Sequence, residues 1–244
     1  VNVTQPEALE GMHDSYVPMD PPNRLPIPLV KPEDRIGTAY IPCDLCKVAA
    51  IVPCDITDKV RSLGAIDDEA KAMGENLVAF FKTEVAEGRL PKNLLPLQSG
   101  VGSVANAVIN GLVNSDFEDL TVFTEVVQDG MFDLIDAGKL RVCSGTALSP
   151  SPDCLKKFYA NVEKYKKYIV LRPQEVANSP ELARRIGVIA MNTAIEVDIY
   201  GNVNSTHIAG TKIMNGIGGS GDYARNGFLT VFFTTSLAKG GAIS

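Results

Sequence analysis

Short apolar runs alternate with amphipathic patterns along this chain from Val48 onward. Several runs are continuously apolar, which is typical of strands covered on both faces of a parallel sheet. These patterns predict strands at Val48–Val52, Leu120–Thr124, Leu140–Ser144, Tyr168–Leu171, Ile186–Met191, Ile195–Tyr200 and Leu229–Thr234. The strand Ile195–Tyr200 is predicted from alternation, with Ile195, Val197 and Ile199 facing inward and the two acidic residues between them facing outward. Apolar spacings of three and four residues predict helices at Asp67–Val85, Ser103–Leu112, Met131–Ala137, Leu155–Tyr165 and Pro180–Arg185. This alternation indicates an α/β fold, with an open, mostly parallel sheet and helices on both faces.

The segment before this alternation is rich in proline. Residues 1 to about 47 hold eight of the 15 prolines of the chain. Proline fixes φ and lacks the backbone N–H that a strand ladder needs. We therefore expect an extended connector that ties two lobes of the molecule together.

Composition and charge restrict the classes of partner. The chain has 244 residues, of which 45% are hydrophobic and 21% charged, as is typical of a globular protein with a sizeable core. Its formal net charge of −6 opposes sequence-independent binding to a nucleic-acid backbone. No apolar run approaches the ~18 residues that a membrane span needs. We therefore expect neither nucleic acid nor a membrane as a partner.

The cysteines bear on the cellular location of the protein, and the chain ends bear on whether the sequence is a segment. The five cysteines, an odd number spread thinly over the chain, favour reduced thiols inside a cell: Cys43, Cys46, Cys54, Cys143 and Cys154. The chain opens without an initiator methionine or a signal peptide and ends soon after a strand-like run. We therefore expect a segment of a longer protein.

Glu125 directly follows the apolar run Leu120–Thr124. Ligands of parallel sheets gather at the carboxyl ends of strands, in the loops that lead to helices. A glutamate side chain is ordinarily ionised at neutral pH, so it can attack an acyl carbon without a helper base. The alternative interpretation is a solvated or helix-capping acid.

Two glycine-rich clusters are candidate ligand loops. Gly100 and Gly102 lie in the turn before the helix from Ser103, where N–H groups of the helix start suit an anion or a developing oxyanion. A plain turn lined with glycine is the alternative. In the second cluster, the glycines at 216, 218 and 221 satisfy the spacing G-x-G-x-x-G, but no acidic residue follows Asp222. A dinucleotide site needs such an acid ~20 residues on, so we predict a loop that turns sharply or approaches another ligand closely.

Other catalytic classes have little support in the sequence. Cys43 and Cys46 form a single C-x-x-C pair, remote in sequence from the two histidines, so we predict no metal site. The chain has no G-x-S-x-G nucleophile elbow and no Walker A pattern, which argues against a serine hydrolase and a P-loop nucleotide site.

Three segments together resemble one family. They are residues 98–108 (QSGVGSVANAV), residues 124–130 (TEVVQDG) and residues 192–226, which include the second glycine cluster. They resemble the acetyl-CoA hydrolase/transferase family, the class I CoA-transferases, and the likeness extends over essentially the whole chain. The resemblance implies a CoA-transferase-type fold. Residues 1–58 then hold the end of a first lobe and the connector, and residues 59–244 hold a second lobe with the catalytic glutamate, truncated at its C-terminus.

The resemblance also implies roles for single residues. Glu125 matches the family's catalytic glutamate, which takes up the acyl group as an anhydride and then CoA as a glutamyl-CoA thioester. Val101 and Gly219 match positions whose backbone N–H groups stabilise tetrahedral oxyanions, and Asn178 matches an asparagine that orients the glutamate or the substrate carboxylate. The implied CoA-contacting positions are Gly100, Val101, Gly102, Ser103, Val104, Asn215, Gly218, Gly219 and Lys239. A solvated surface lysine is the alternative interpretation of Lys239.

The implied function is transfer of CoA between short-chain acids such as acetate and succinate. A hydrolase on the same scaffold, in which water resolves the glutamyl intermediate, stays open because the two activities differ in how well water is excluded. A non-catalytic CoA-binding module is the other alternative. The resemblance further implies a homodimer, and CoA as a substrate with no separate cofactor. We expect an intracellular location, which stays open between the bacterial cytoplasm and the mitochondrial matrix.

Overall fold

A sheet of six parallel strands occupies the middle of the protein. The computed structural model describes residues 9–54, 56, 66–237 and 241. The helices are α1 (Asp68–Ala86), α2 (Ser103–Val113), α3 (Asp129–Asp136), α4 (Pro152–Ala160), α5 (Val162–Tyr165), α6 (Gln174–Ala177), α7 (Pro180–Ile186) and α8 (Ser220–Ala224). The strands are β1 (Leu97–Ser99), β2 (Leu120–Phe123), β3 (Val126–Val127), β4 (Leu140–Gly145), β5 (Ala147–Leu148), β6 (Ile169–Leu171), β7 (Ile189–Thr193), β8 (Glu196–Val197), β9 (Val203–Asn204), β10 (His207–Ile208), β11 (Lys212–Ile213) and β12 (Leu229–Phe233).

The strand order of the main sheet creates a topological switch point, where successive strands are added on opposite sides of a central strand. The order is β12-β7-β1-β2-β4-β6, and each neighbouring pair is parallel. Later strands are added on both sides of β1, with β2, β4 and β6 on one side and β7 and β12 on the other. Ligands of open α/β sheets bind outside the carboxyl ends of the strands at such a point. The loops after β1 and β2 therefore lie where this fold places a site.

Each face of the sheet has its own hydrophobic cluster. On the first face, side chains of α1 to α4 pack with Leu97 of β1 and Ile189 of β7. On the second face, α6, α7 and α8 pack with Ala190, the next residue of β7. Consecutive strand residues point to opposite faces, so one strand serves both clusters. The predicted α/β fold, with a parallel sheet between helices, is confirmed.

The proline-rich stretch runs over the second face to the β6 edge. No α-helix or strand of several residues occurs between residues 10 and 44. The Asp14 N–H donates to the Leu171 carbonyl (2.8 Å), and the Leu171 N–H donates to the Met12 carbonyl (2.7 Å), so this short piece lies parallel to β6. Farther along, Ile27 and Leu29 are buried in the second-face cluster. The segment is extended, as expected, and its role in joining two lobes stays a prediction.

One predicted strand is absent, and another is reduced to two residues. Residues 48–52 form no strand, and Ile51 is 77% exposed. In the described part of the chain no strand pairs with this run, and apolar composition alone supplies no partner. In the predicted strand Ile195–Tyr200, only β8 is extended and paired. The Asp198 carboxylate accepts the Tyr200 N–H (2.9 Å) and turns the chain there, so Ile199 is exposed instead of facing inward.

Other differences concern short elements and boundaries. The sequence patterns miss β1, α6 and α8, which have three, four and five residues. The predicted helix Leu155–Tyr165 is divided into α4 and α5, because the Asn161 side chain donates to the Lys157 carbonyl (3.0 Å) and closes α4. Strand β7 begins three residues later than predicted, since Gly187, with a φ of 76°, ends α7 in the left-handed conformation.

Three further observations concern cysteines, metals and membranes. All five cysteines are free thiols in the structure. Among the described residues, no group of three or more His, Cys, Asp or Glu side chains is placed to hold a metal ion. In the same part of the chain, no helix combines the length and the apolar character needed to cross a membrane.

Candidate active site

Glu125 lies at the carboxyl end of β2, beside the switch point of the sheet. The Thr124 N–H donates to the Ser144 carbonyl (2.9 Å), and the Thr146 N–H donates to the Glu125 carbonyl (2.8 Å). These bonds to the end of β4 continue the ladder past the last residue of β2. The half-buried Glu125 side chain therefore projects from a backbone held on a rigid element.

Two donors hold one oxygen of the Glu125 carboxylate. Its Oε2 atom accepts the Gly219 backbone N–H (2.8 Å) and the Asn178 Nδ2 (3.0 Å). Gly219 precedes α8 and Asn178 follows α6, so both donors come from the second face of the sheet. No hydrogen bond between described residues engages Oε1. The carboxylate is thus fixed through one oxygen and presents the other.

Asn178 has an acceptor to spare. Its side-chain Oδ1 is buried and has no hydrogen-bond partner among the described residues, although Nδ2 donates to Glu125. The reverse orientation of the amide would place two oxygens together. A buried acceptor without a partner suits an N–H, O–H or S–H group of a bound ligand.

Tyr223 of α8 fixes the two donors relative to each other. Its hydroxyl donates to the carbonyl of Ala177, the residue before Asn178. Burial raises the pKa of Tyr223 well above 10, and the nearby Glu125 charge adds to this effect. The phenol therefore stays protonated and keeps α8, which begins after Gly219, tied to α6.

The first glycine loop, residues 100–102, follows β1 and leads into α2. The Gly100 N–H donates to the Met191 carbonyl of β7 (2.8 Å). Gln128 bonds to the same loop twice: its Nε2 donates to the Gly100 carbonyl (2.7 Å), and its Oε1 accepts the Gly102 N–H (3.3 Å). Val101, between the two glycines, is 57% exposed. The loop thus presents Val101 next to the segment that bears Glu125.

The structure brings some of the predicted site residues together and leaves others apart. Glu125, Asn178 and Gly219 are in direct contact, and Gly100 and Gly102 are joined to the Glu125 segment through Gln128. The remaining predicted positions form no hydrogen bond with the Glu125 side chain in the described part of the chain. Val101 is exposed, Ser103 and Val104 form the first turn of α2, Gly218 is exposed before Gly219, and Asn215 donates to the Ser205 carbonyl. The Val104 side chain packs against the first-face core. Lys239 lies outside the described residues.

Comparison with known proteins bears on the family of this chain. Residues 155–244 match the family model described as the acetyl-CoA hydrolase/transferase C-terminal domain. All 244 residues align at 56% identity with a succinyl-CoA:acetate CoA-transferase of Clostridium kluyveri, of which they cover 45%. The chain belongs to the acetyl-CoA hydrolase/transferase family.

Other relatives in the family carry a hydrolase name. An acetyl-CoA hydrolase of Schizosaccharomyces pombe is 47% identical over 237 residues, which are 97% of this chain and 45% of that protein. An acetyl-CoA hydrolase of Saccharomyces cerevisiae is 46% identical over 236 residues, with the same coverage. The chain thus spans less than half the length of these curated relatives.

Solved structures agree on the fold. RipA from Yersinia pestis superposes with a TM-score of 0.58 at 22% identity, over 78% of this chain and 40% of that one. A 4-hydroxybutyrate CoA-transferase from Porphyromonas gingivalis superposes with a TM-score of 0.55 at 20% identity, over 75% of this chain and 43% of that one. The parallel sheet flanked by helices is therefore shared with CoA-transferases.

Two residues that shape the site were not predicted. Gln128 is buried, and the sequence signal that could have drawn attention to it is its position as a polar residue directly after the apolar pair of β3. Tyr223 follows the second glycine cluster in a helix too short for a periodic pattern. Its hydrogen bond to Ala177 spans 46 residues of sequence, so no local sequence pattern predicts the role of Tyr223.

Proposed function

We propose that the protein moves CoA between short carboxylic acids such as acetate and succinate, with Glu125 as the covalent carrier. The observation that carries this proposal is the Glu125 carboxylate itself. It projects from a strand end at the switch point, is held through Oε2 by two donors, and presents Oε1. The similarity to a relative named succinyl-CoA:acetate CoA-transferase supports the choice of substrates.

The first half of the proposed reaction loads the glutamate. Glu125 Oε1 attacks the thioester carbon of the acyl-CoA, the carbon–sulfur bond breaks, and CoA leaves as a thiolate. The thiolate then attacks the glutamyl carbon of the resulting anhydride, and the donor acid leaves as a carboxylate. The acceptor carboxylate repeats these steps in reverse. No net proton is consumed, and covalent catalysis divides one exchange into steps of similar energy.

The two donors on Oε2 suit the step at the glutamyl carbon. When CoA thiolate attacks that carbon, Oε1 is the bridging oxygen of the anhydride, and the negative charge develops on Oε2. Gly219 N–H and Asn178 Nδ2 already lie 2.8 and 3.0 Å from that atom, the range expected for oxyanion donors. Val101 N–H remains for the intermediate centred on the substrate acyl carbon, since no bond among the described residues engages it.

Acetyl-CoA hydrolysis is the second candidate function, and the fungal relatives named acetyl-CoA hydrolases favour it. Water then attacks the glutamyl intermediate in place of an acceptor carboxylate. Both reactions use the same glutamate and the same donors. If the protein is a transferase, we expect added acetate to accelerate the loss of succinyl-CoA and to yield acetyl-CoA. If it is a hydrolase, we expect free CoA to form at a rate that acetate leaves unchanged.

A trapping experiment tests the covalent carrier. The protein expressed in full from its gene is incubated with succinyl-CoA without acceptor and then treated with borohydride, which reduces a thioester to an alcohol. We expect peptide mass mapping to show the carboxyl of Glu125 replaced by a primary alcohol, and no such change without succinyl-CoA. An unmodified Glu125 in a sample with measured turnover would refute the proposal.

Gly219→Ala is expected to lower kcat by ~100-fold, because a displacement of ~1 Å at a catalytic group costs about that much. A Cβ at Gly219 would overlap Glu125 Oε2 and Asn178 Nδ2, so the carboxylate must move. Gly216→Ala is the matched control, since a Cβ there meets nothing within 4 Å. Steady-state kcat and thermal unfolding are measured for both variants. Equal kcat for the two would show that the close approach at Gly219 is unimportant.

The homodimer and the intracellular location remain predictions, as does the boundary between residues 58 and 59.

A further inference from the structure

Gln128 joins the two loops that meet at the switch point of the sheet. It lies three residues after Glu125 and its side chain is buried, with 1% of the residue exposed. Both polar atoms of its amide bond to the first glycine loop: Nε2 donates to the Gly100 carbonyl, and Oε1 accepts the Gly102 N–H. These two backbone groups flank Val101. One side chain on the glutamate's segment therefore holds both ends of the turn that presents Val101.

Bonds on either side of Gln128 strengthen this connection. Before the glutamate, the Thr124 hydroxyl donates to the Ser99 carbonyl (3.2 Å). After Gln128, the Gly130 N–H donates to the Asn106 side chain of α2 (3.4 Å). Residues 124–130 are thus hydrogen-bonded to the end of β1, to the first glycine loop and to α2. Gln128 is the member of this set that contacts the residues next to Val101.

We propose that Gln128 is a positioning residue, which sets the orientation of the Val101 N–H relative to the Glu125 carboxylate. This inference rests on the proposed function, in which that N–H stabilises the oxyanion on the substrate acyl carbon. Glycines on both sides of Val101 leave its two peptide planes free to rotate. Gln128 removes that freedom by fixing the carbonyl before Val101 and the N–H after it.

The amide group is suited to this task for a chemical reason. Glutamine offers one acceptor and an NH₂ donor on the same planar group, which match one backbone N–H and one backbone carbonyl. Ionised glutamate offers acceptors only, so it would keep the Gly102 bond and repel the Gly100 carbonyl. Protonated glutamate regains a donor and can restore both bonds. Methionine has a similar length but offers no donor and only a weak acceptor.

Kinetics of two Gln128 variants test the proposal. We expect Gln128→Met to lower kcat by ~10- to 100-fold while KM for succinyl-CoA changes by less than ~3-fold, because a misplaced oxyanion donor affects the transition state more than ground-state binding. We expect the kcat of Gln128→Glu, relative to wild type, to rise as the pH is lowered from ~8 toward ~5.5, since burial raises the pKa of a carboxyl group. Gln174→Met is the matched control, because Gln174 is exposed.

Hydrogen exchange provides a readout that does not depend on turnover. The Gly102 N–H should exchange faster in Gln128→Met than in wild type, whereas the exchange of β2 should not change. A purely structural role predicts a different pattern, in which kcat per folded molecule is unchanged and only the unfolding temperature falls.

Several outcomes would overturn the inference. Wild-type kcat in Gln128→Met would do so, as would a loss of activity that merely follows the fraction of folded protein. A flat ratio of Gln128→Glu to wild type across the pH range would also contradict it. If the wild-type protein neither transfers CoA nor hydrolyses acyl-CoA, the proposed function fails and the inference fails with it. That result is distinguishable, because it appears before any variant is made.

Discussion

Replacing Glu125 by glutamine is expected to reduce CoA transfer by ~10³-fold or more, the loss typical of a removed covalent nucleophile. The substitution keeps the size and shape of the side chain. Gly219 N–H and Asn178 Nδ2 can still donate to a Glu125→Gln carbonyl oxygen, so the fold and the donors are retained. What is lost is the charged oxygen that attacks the thioester. Initial rates with succinyl-CoA and acetate measure the effect.

Glu118 provides the matched control for this substitution. It lies just before β2 and is exposed, whereas Glu125 lies just after the same strand. Glu118→Gln is expected to keep wild-type activity, because the amino end of a parallel strand lies away from the ligand edge. Mass spectrometry must exclude deamidation, which would regenerate the glutamate. A Glu125→Gln protein that retains a tenth of wild-type turnover without deamidation would mean that another group carries the acyl chain.

The position of Glu125 was predictable because the information for it is local. Leu120–Thr124 is a continuous apolar run, and the structure buries all four residues of β2. A charged residue directly after such a run must leave the sheet interior, and in a parallel sheet it leaves at the carboxyl edge. The fold class followed from the same kind of pattern, repeated along the chain.

The contacts that complete the site depend on distant parts of the chain. Gly219 and Asn178 lie 94 and 53 residues from Glu125, and only the family resemblance linked them to it. Strand β1 was missed for a related reason. Two of its three residues are polar, and Gln98 is buried because its side chain pairs with that of Asn192 on β7 (2.9 and 3.2 Å). A partner 94 residues away is invisible to a local pattern.

Elsewhere the sequence patterns predict strands that the structure lacks or shortens. The run Val48–Val52 has the composition of a buried strand but is exposed throughout. Composition records what a segment could bury, and burial depends on what packs against it. The alternation in Ile195–Tyr200 fails at Asp198, whose carboxylate accepts the N–H groups of Tyr200 and Asn202 (2.9 Å each). Such turns compete with strand pairing.

Replacing Arg172 by methionine is expected to lower the free energy of unfolding by ~3–5 kcal/mol, the cost of leaving a buried charge unpaired. The Arg172 side chain is fully buried beside Asp14, which is 2% exposed, and the two form an ion pair. Burial lowers the pKa of the Arg172 guanidinium, and the Asp14 charge opposes that shift. Urea unfolding followed by circular dichroism measures the change.

The size of this effect reflects what Arg172 connects. Its Nε donates to the Ser144 hydroxyl of β4 (2.8 Å), and Nη2 donates to the carbonyls of Pro32 (2.9 Å) and Asp34. One guanidinium therefore holds the proline-rich stretch, which has no ladder of its own, against the edge of the sheet. Buried charge-assisted hydrogen bonds of this kind are stronger than bonds between neutral groups.

Two further variants test whether the buried charge causes the loss of stability in Arg172→Met. Arg141→Met should cost less than ~1 kcal/mol, because Arg141 is 46% exposed and its ion pair with Asp119 spans 3.4 Å at the surface. Adding Asp14→Asn to Arg172→Met should recover part of the loss. Asparagine keeps an acceptor for the Gly37 N–H, which donates to Asp14 at 2.8 Å, and removes the unpaired charge. If the double variant is no more stable than Arg172→Met alone, the loss comes from the hydrogen bonds to the proline-rich stretch, and the buried charge is not its cause.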